Sequence, residues 1–471
     1  ELQYEDSGDI LTQYAEGDGP VADKESTRSI RNIANAYQSI REFTATTLKN
    51  DPSTIKRFHG YLINKVKIIR IQTPTIAKAL KIFETINDRG VGLDAMDLLK
   101  NLLFMNANES DYTKLKDVWK RITDEIYLAR EKPLRFLRYY LLATHDADNK
   151  LREEAIYGWF QKNEAATKHA SEPLKFAQRL LEAARAYRNF TANQNVRGLS
   201  ERGIANTRVL GGKSIKQHFI ILLAGRHLSD ENFTRLCDEV EKTMFVWLMT
   251  GVLGKEYERL IVDAAHELRK TSNADFDKFV EKHFEARRIA LSSEFYDRLS
   301  TLLAGDTRQF RMRYLLAKIT QHVDLMAYGS SQGRDNLEDY ISGGNDVEHI
   351  LPDKGDDDAI AEFGDGGADQ MVIQRLGNLM LVEKSINRSI QNWKYSEKIK
   401  AYPKSKYLLS RCQASKQSGQ VGVADKITKT SDALEVFPVW NTKAVDQRQR
   451  FLARLALDVW GLKPDGSAEF E

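Results

Sequence analysis

This sequence of 471 residues has few cysteines, no long apolar run and little net charge. Each of these features excludes certain classes of protein. The two cysteines, Cys237 and Cys412, are too few for a disulfide framework or a four-cysteine zinc site, and a reducing cytoplasm is the expected location. The chain has no run of about 20 apolar residues, so we expect no membrane-spanning helix. It also has no succession of basic, apolar and cleavage-site residues typical of a secretory signal. The net charge of +3 is too small to indicate a nucleic-acid partner by itself, so the placement of the charges matters more than their sum.

Proline is also scarce in the middle of the chain, where only Pro133 and Pro173 lie between residues 110 and 300. Apolar residues recur there every three or four positions, which predicts a helical scaffold packed on its own side chains. We therefore predict a mainly α protein with a small α+β part. The predicted domains are residues 1–110, a helical middle region at 111–305, and a third domain at 306–471.

The sequence pattern changes after about residue 305. Residues 345–352 and 379–382 are predicted to form two short strands, and residues 385–402 a helix. The segment 353–369 between the strands holds seven carboxylates and one lysine, which is typical of a solvated loop. Strand, loop, strand and helix follow one another in the order of a ββα-metal finger.

Phosphodiester hydrolysis requires a base that deprotonates water and a cation that stabilises the leaving oxygen. A neutral imidazole is suited to the first task at physiological pH. His349 lies at the end of the first predicted strand, Asn378 follows 29 residues later, and Asn387 nine residues after that. This order resembles the HNH family of one-metal nucleases. The resemblance implies that His349 is the general base and that the Asn378 amide pins the loop that orients it.

The same resemblance implies a site for Mg²⁺ or Mn²⁺, which prefer carboxylate and amide oxygens. Glu348 is the first candidate ligand, with Asp346 as the alternative, and Asn387 is the second ligand. Each residue also has an ordinary interpretation: a structural histidine for His349, a turn residue for Asn378 and a helix cap for Asn387. The combination of all three in order favours the nuclease.

A basic stretch follows these residues. Between Arg388 and Lys416 there are eight Lys or Arg residues and one acid, interleaved with aromatic residues. Lys394 and Lys398 are four positions apart, so on one helix they share a face and, with Arg388, are the predicted contacts to DNA phosphates. An ordinary solvated lysine face is the alternative. Stacking and phosphate contacts serve RNA equally well, so this stretch does not separate DNA from RNA.

A longer pattern extends over both ends of the chain. Its C-terminal part comprises Glu348–Pro352, Leu376–Leu381, Asn387, Lys398, Tyr402, Trp440, Arg448, Arg450 and Trp460, and its N-terminal part comprises Phe83–Gly90, Leu93 and Asp97–Lys100. In this order the residues resemble the GmrSD family, over about residues 82–104 and 306–465. Members of that family are modification-dependent type IV restriction enzymes or related anti-phage effectors.

The resemblance has further implications for the N-terminal domain. In the family this domain resembles the ParB and sulfiredoxin nucleotidases and binds a nucleoside triphosphate, and in several members it senses the DNA modification. Asn87 and Arg89 are candidates to line the nucleotide pocket, although a turn before a helix explains them equally well. The family's Asp-Gly-Gln-Gln-Arg motif is absent here. We expect the chain to begin just after that motif, so that residues 1–110 are the later part of the domain.

The sequence therefore predicts a metal-dependent endonuclease that nicks or cuts double-stranded, modified DNA in a restriction or anti-phage system. It predicts no membrane partner and leaves a homo-oligomer open. Two alternatives remain: a nucleic-acid-binding regulatory or sensor protein with an inactive HNH scaffold, and an HNH ribonuclease toxin. The intact set of His349, Asn378 and Asn387 favours the enzyme over the inactive scaffold.

Overall fold

The computed structural model describes residues 10–17, 19, 28–67, 95–212, 214–252, 254–330, 334–418 and 424–462. These residues form many helices and one two-stranded sheet, which confirms the predicted mainly α class with a small α+β part. The chain divides into two compact units, Glu1–Leu137 with Glu153–Arg185, and Arg138–Arg152 with Ala186–Glu471. The predicted domain boundaries near residues 110 and 305 stay predictions. None of the described helices is both long enough and apolar enough to cross a membrane.

The first unit is helical in its described residues. Its α-helices are Ile10–Glu16, Arg28–Thr46, Pro52–Lys65, Ala95–Asn106, Tyr112–Leu128, Ile156–Lys162 and Glu164–Thr167, and the helices Pro133–Thr144 and Pro173–Thr191 contain residues of both units. Apolar side chains of the helix Arg28–Thr46 pack against Ile10 and Tyr14 of the preceding helix. The Asp51 carboxylate accepts a hydrogen bond from the Thr54 amide at 2.7 Å, which caps the next helix at its first turn.

The second unit begins with helices and ends with the sheet and the helices around it. Its α-helices are Arg202–Gly211, His218–Ala224, Asp230–Met249, Lys255–Leu268, Phe276–Val280, Ala286–Ile289, Ser292–Ser300, Gln309–Tyr328, Glu338–Ile341, Asp357–Phe363, Gln370–Ile373, Lys384–Ile390, Tyr395–Lys398, Leu408–Arg411, Ala424–Ala433 and Thr442–Val459, and Glu281–Glu285 is one turn of π-helix. Phe245, Tyr314 and Trp460 are buried together, with ring centroids 4.3 Å apart for Phe245 and Trp460. These aromatic contacts join two helices and the residue that directly follows a third, all from separate parts of the sequence.

The sheet lies in the C-terminal part of this unit. Its strands are β1 (Asn345–His349) and β2 (Leu379–Glu383), which pair antiparallel with His349 opposite Leu379. The helix Lys384–Ile390 follows β2 directly and packs against both strands. The predicted order of two strands and a helix is therefore present, with β1 shorter than expected.

Two local predictions are wrong. The acid-rich segment 353–369 is not only a loop, because it contains the helix Asp357–Phe363, whose first turn is capped by the Asp356 carboxylate. The predicted single helix over residues 385–402 is divided into Lys384–Ile390 and Tyr395–Lys398. Gln391, at φ +38°, ends the first of these helices in a conformation that a continuous α-helix does not contain.

Candidate active site

His349 is the last residue of β1 and is half-buried. Burial lowers the pKa of its imidazole, and the neighbouring Asp353 and Gln374 side chains partly oppose that shift. The ring is therefore neutral at physiological pH. Its Nε2 atom is buried and has no hydrogen-bond partner among the described residues. The imidazole thus has the protonation state of a base.

The side chain of Asn378, just before β2, is completely buried and completely hydrogen-bonded. Its amide nitrogen donates to the carbonyls of Leu351 at 2.9 Å and Ile373 at 2.8 Å. Its amide oxygen accepts from the Leu351 amide at 2.7 Å and from Trp440 Nε1 at 3.1 Å. These four bonds use the full capacity of a primary amide. They fix the segment that directly follows His349.

The helix Thr442–Val459 supports the backbone on either side of Asn378. Arg448 Nη1 donates to the carbonyls of Gly377 and Leu379, both at 2.7 Å, and burial lowers the pKa of this guanidinium to about 10. A β-carbon on Gly377 would lie 2.2 Å from the Val445 carbonyl oxygen. Only glycine therefore permits this close approach between the helix and the turn that precedes β2.

Glu348 and Lys398 form a buried ion pair beneath the end of β1. Lys398 Nζ lies 2.6 Å from Glu348 Oε1 and 2.7 Å from the carbonyl oxygen of His349, and Tyr402 donates to Glu348 Oε1 at 3.3 Å. Burial raises the pKa of Glu348 and lowers that of Lys398, while their mutual attraction opposes both shifts. The predicted contact between Lys398 and a DNA phosphate is wrong, because the lysine side chain is 0% exposed and bonded within the protein.

The other predicted DNA contacts lie nearer the surface. Arg388 is exposed on the helix Lys384–Ile390 and forms no ion pair with a described residue. Lys394 is partly exposed and directly precedes the helix Tyr395–Lys398, so it shares no helical face with Lys398. Arg388 and Lys394 therefore remain the candidates for phosphate contacts.

The candidate metal ligands occupy three positions. Asn387 is the fourth residue of the helix Lys384–Ile390, and its side chain forms no hydrogen bond with any described residue. Asp346 lies on β1 and pairs with Arg313 at 3.6 Å, whereas Glu348 pairs with Lys398. Within the described ranges, no three His, Cys, Asp or Glu side chains come together as a metal-binding group. Asn87 and Arg89 lie outside the described residues.

Comparison with known families identifies the kind of protein. Residues 289–455 match the family model of the C-terminal domain of GmrSD restriction endonucleases, and residues 2–104 match that of the N-terminal domain. The chain is thus a restriction endonuclease by family. In particular, it belongs to the GmrSD restriction endonuclease family, as the resemblance predicted. No curated protein matches the chain.

The supporting contacts around Asn378 were not predicted from the sequence. The family pattern includes Arg448 and Trp440 without indicating their contacts, and it does not include Gln449, which accepts a hydrogen bond from the Gly377 amide at 3.2 Å. One signal was available: Arg448 and Gln449 fall at the helical spacing of the apolar, buried face of the helix Thr442–Val459. Buried polar side chains in such a position indicate a backbone group that needs a partner.

Proposed function

We propose that this restriction endonuclease cuts DNA by an HNH-type, metal-dependent hydrolysis with His349 as the general base. The observation that carries the proposal is the state of the His349 imidazole. Burial lowers its pKa, and Nε2 has no partner among the described residues. Family membership supports DNA as the substrate.

The first step is the removal of a proton from water. The free lone pair of the neutral imidazole accepts that proton as the oxygen attacks phosphorus and the bond to the 3′ oxygen breaks. Asn378 holds the segment after His349 through both backbone groups of Leu351. This contact keeps the base in one orientation, which proximity effects require.

The candidate ligands suit a hard divalent cation, Mg²⁺ or Mn²⁺. The Asn387 amide has no partner among the described residues, and both side-chain hydrogen bonds to Glu348 fall on Oε1. Asn387 would therefore hold the ion, whereas the proposed carboxylates Glu348 and Asp346 fit it less well, because they pair with Lys398 and Arg313 and lie on the face of β1 opposite His349. When bound, the cation supplies positive charge to the leaving 3′ oxygen.

The proposal includes the biological setting and the other partners. Arg388 and Lys394 would contact phosphates on double-stranded DNA, which fixes position without reading sequence. The target would be modified DNA in a restriction or anti-phage system. The N-terminal domain, matched over residues 2–104, would bind a nucleoside triphosphate, with Asn87 and Arg89 at its pocket.

The test is the cleavage of supercoiled plasmid with Mg²⁺ or Mn²⁺, with and without a nucleoside triphosphate, on modified and unmodified DNA. His349→Ala should lower the cleavage rate by about 100-fold or more and leave DNA affinity unchanged, because general-base catalysis contributes about that much. His59→Ala, at an exposed histidine of the first unit, is the matched control. Equal cutting by wild type and His349→Ala would disprove the mechanism. Cleavage of RNA alone would favour the ribonuclease.

A further inference from the structure

Lys398 is buried beneath the end of β1 although it carries a charge. Its side chain is 0% exposed, and its ammonium donates both to Glu348 Oε1 and to the His349 carbonyl oxygen. Burial of a lysine is unfavourable unless its charge is paired and its donors are satisfied. An aliphatic residue would fill such a position at a smaller desolvation cost, so the contacts of this ammonium require an explanation.

The geometry of β1 explains why an ammonium group occupies this position. Successive side chains of a strand point to opposite faces, so the Glu348 and His349 side chains leave β1 on opposite sides. Lys398 lies on the Glu348 side, yet it also reaches the backbone of His349. Lys398 therefore contacts His349 only through its main-chain carbonyl, from the face of β1 opposite the imidazole.

The peptide group between His349 and Ile350 is held at both ends. Its carbonyl accepts from Lys398 Nζ at 2.7 Å, and its N–H donates to the Asn378 carbonyl at 2.9 Å. Glu348 fixes the ammonium in turn, with Tyr402 bonded to the same carboxylate oxygen. The rotation of this peptide group sets the direction of the His349 side chain relative to the following loop.

We infer that Lys398 is a positioning residue, which orients His349 by clamping the peptide group that follows it. The inference rests on the proposed function, in which His349 is the base. Lys398 then serves the reaction without contacting DNA.

Lys398→Met tests this role, because methionine keeps most of the volume and removes both hydrogen bonds. At a temperature where the variant is folded, the single-turnover cleavage rate should fall by about 100-fold, the effect of a misplaced catalytic group. The Kd for DNA should change by less than about twofold, because the residue is not at the surface. Hydrogen exchange of the backbone amides in residues 345–352 should become faster than in wild type.

The matched control is Lys318→Met. Lys318, whose side chain is 17% exposed, pairs with the buried Glu241 at 3.0 Å in the helical part of the same unit, so this variant also removes a lysine from a buried glutamate. It should lower stability without changing the cleavage rate or the exchange of residues 345–352. A purely structural role for Lys398 predicts that the two variants behave alike, and that result would overturn the inference.

If Lys398→Met does not fold, Glu348→Gln is compared with Glu348→Gln/Lys398→Met. The single variant keeps the bond from Lys398 to the His349 carbonyl, whereas the double variant removes it without leaving a buried charge. Faster exchange at residues 345–352 in the double variant supports the inference, and equal exchange overturns it. Hydrogen exchange does not depend on DNA cleavage. Equal cutting by wild type and His349→Ala would therefore disprove the proposed function, while the exchange measurement would still test whether Lys398 holds the peptide group after His349.

Discussion

Two regions of the second unit bury charged and polar side chains in different ways. In the helical region, residues 202–328, these side chains bond mainly to one another: Arg288 Nη1 donates to Glu239 at 2.5 Å, and Glu241 accepts from Tyr314 and Lys318. In the strand region, residues 345–459, they bond mainly to the backbone. Asn378, Lys398 and Arg448 all donate to main-chain carbonyls near the ends of β1 and β2.

The difference follows from how each kind of structure satisfies its backbone. A helix interior bonds its own N–H and C=O groups, so a buried side chain there is free to join one helix to another. A two-stranded sheet with long connections leaves main-chain groups without a ladder partner, and buried side chains supply the missing bonds. Buried polar side chains therefore fix how the helices pack in the helical region. In the strand region they fix the conformation of the loop that follows His349.

The largest effects on stability and cleavage are expected for Asn378→Ala, which is compared with Arg288→Met. Asn378→Ala leaves several buried backbone groups and Trp440 Nε1 without partners, and Arg288→Met leaves the buried Glu239 with Lys242, at 3.3 Å, as its remaining charged partner. Each should lower the free energy of unfolding by about 3–5 kcal/mol. Only Asn378→Ala should also lower the cleavage rate of folded protein, by about 100-fold, because only that change releases the segment after His349.

Urea denaturation and single-turnover cleavage, measured on the same preparations, check this comparison. A folded Arg288→Met protein that loses as much cleavage as Asn378→Ala would show that the two regions do not differ in this way. Normal cleavage by folded Asn378→Ala would remove the role proposed for the asparagine.

The next effect concerns a histidine of the helical region. His218 is buried with both ring nitrogens unpaired among the described residues, and burial lowers its pKa to about 3. An unfolded histidine has a pKa near 6.5, so between these values the unfolded state binds more protons than the folded state. The stability from the neutral ring is complete above pH 6.5 and is lost as the pH falls toward 3.

At pH 5.0 this loss is about 2 kcal/mol for wild type relative to neutral pH. His218→Phe removes the titrating group and keeps a ring of similar size. Urea denaturation at pH 7.5 and pH 5.0 should therefore show a smaller acid-induced loss of stability in the variant, by about that amount. The same loss in both proteins would show that His218 is not held neutral in the fold.

The sequence was sufficient where one local pattern decides the structure. The 3.6-residue periodicity predicted the helical middle region, and the pattern around His349, Asn378 and Asn387 predicted two strands followed by a helix, which the structure contains. The roles of these three residues stay predictions. The order of residues at both ends also identified the family, which the two family matches confirm.

The sequence did not predict the positions of side chains that are set by contacts with residues far away in the chain. The basic neighbours of Lys398 predict a surface position, but its actual position is set by Glu348, fifty residues earlier. Helical spacing between Lys394 and Lys398 was misleading because Gln391 ends the preceding helix. Residue 377 must be glycine because of Val445, which is 68 residues away in the sequence and adjacent in the fold. None of these contacts follows from local periodicity.

The smallest expected effect tests whether the strand region alone binds DNA phosphates. Arg388→Ala/Lys394→Ala should weaken DNA affinity to a similar degree on every sequence and reduce the slope of log Kd against log salt by about 2, because each phosphate contact releases roughly one counterion. Lys255→Ala/Lys270→Ala removes the same charge from exposed positions of the helical region and is the control. Fluorescence anisotropy at several salt concentrations measures both slopes. Both double variants remove two positive charges, so they differ only in where those charges lie. If the control reduces the salt slope as much as Arg388→Ala/Lys394→Ala does, binding depends on net charge and not on contacts at these two positions.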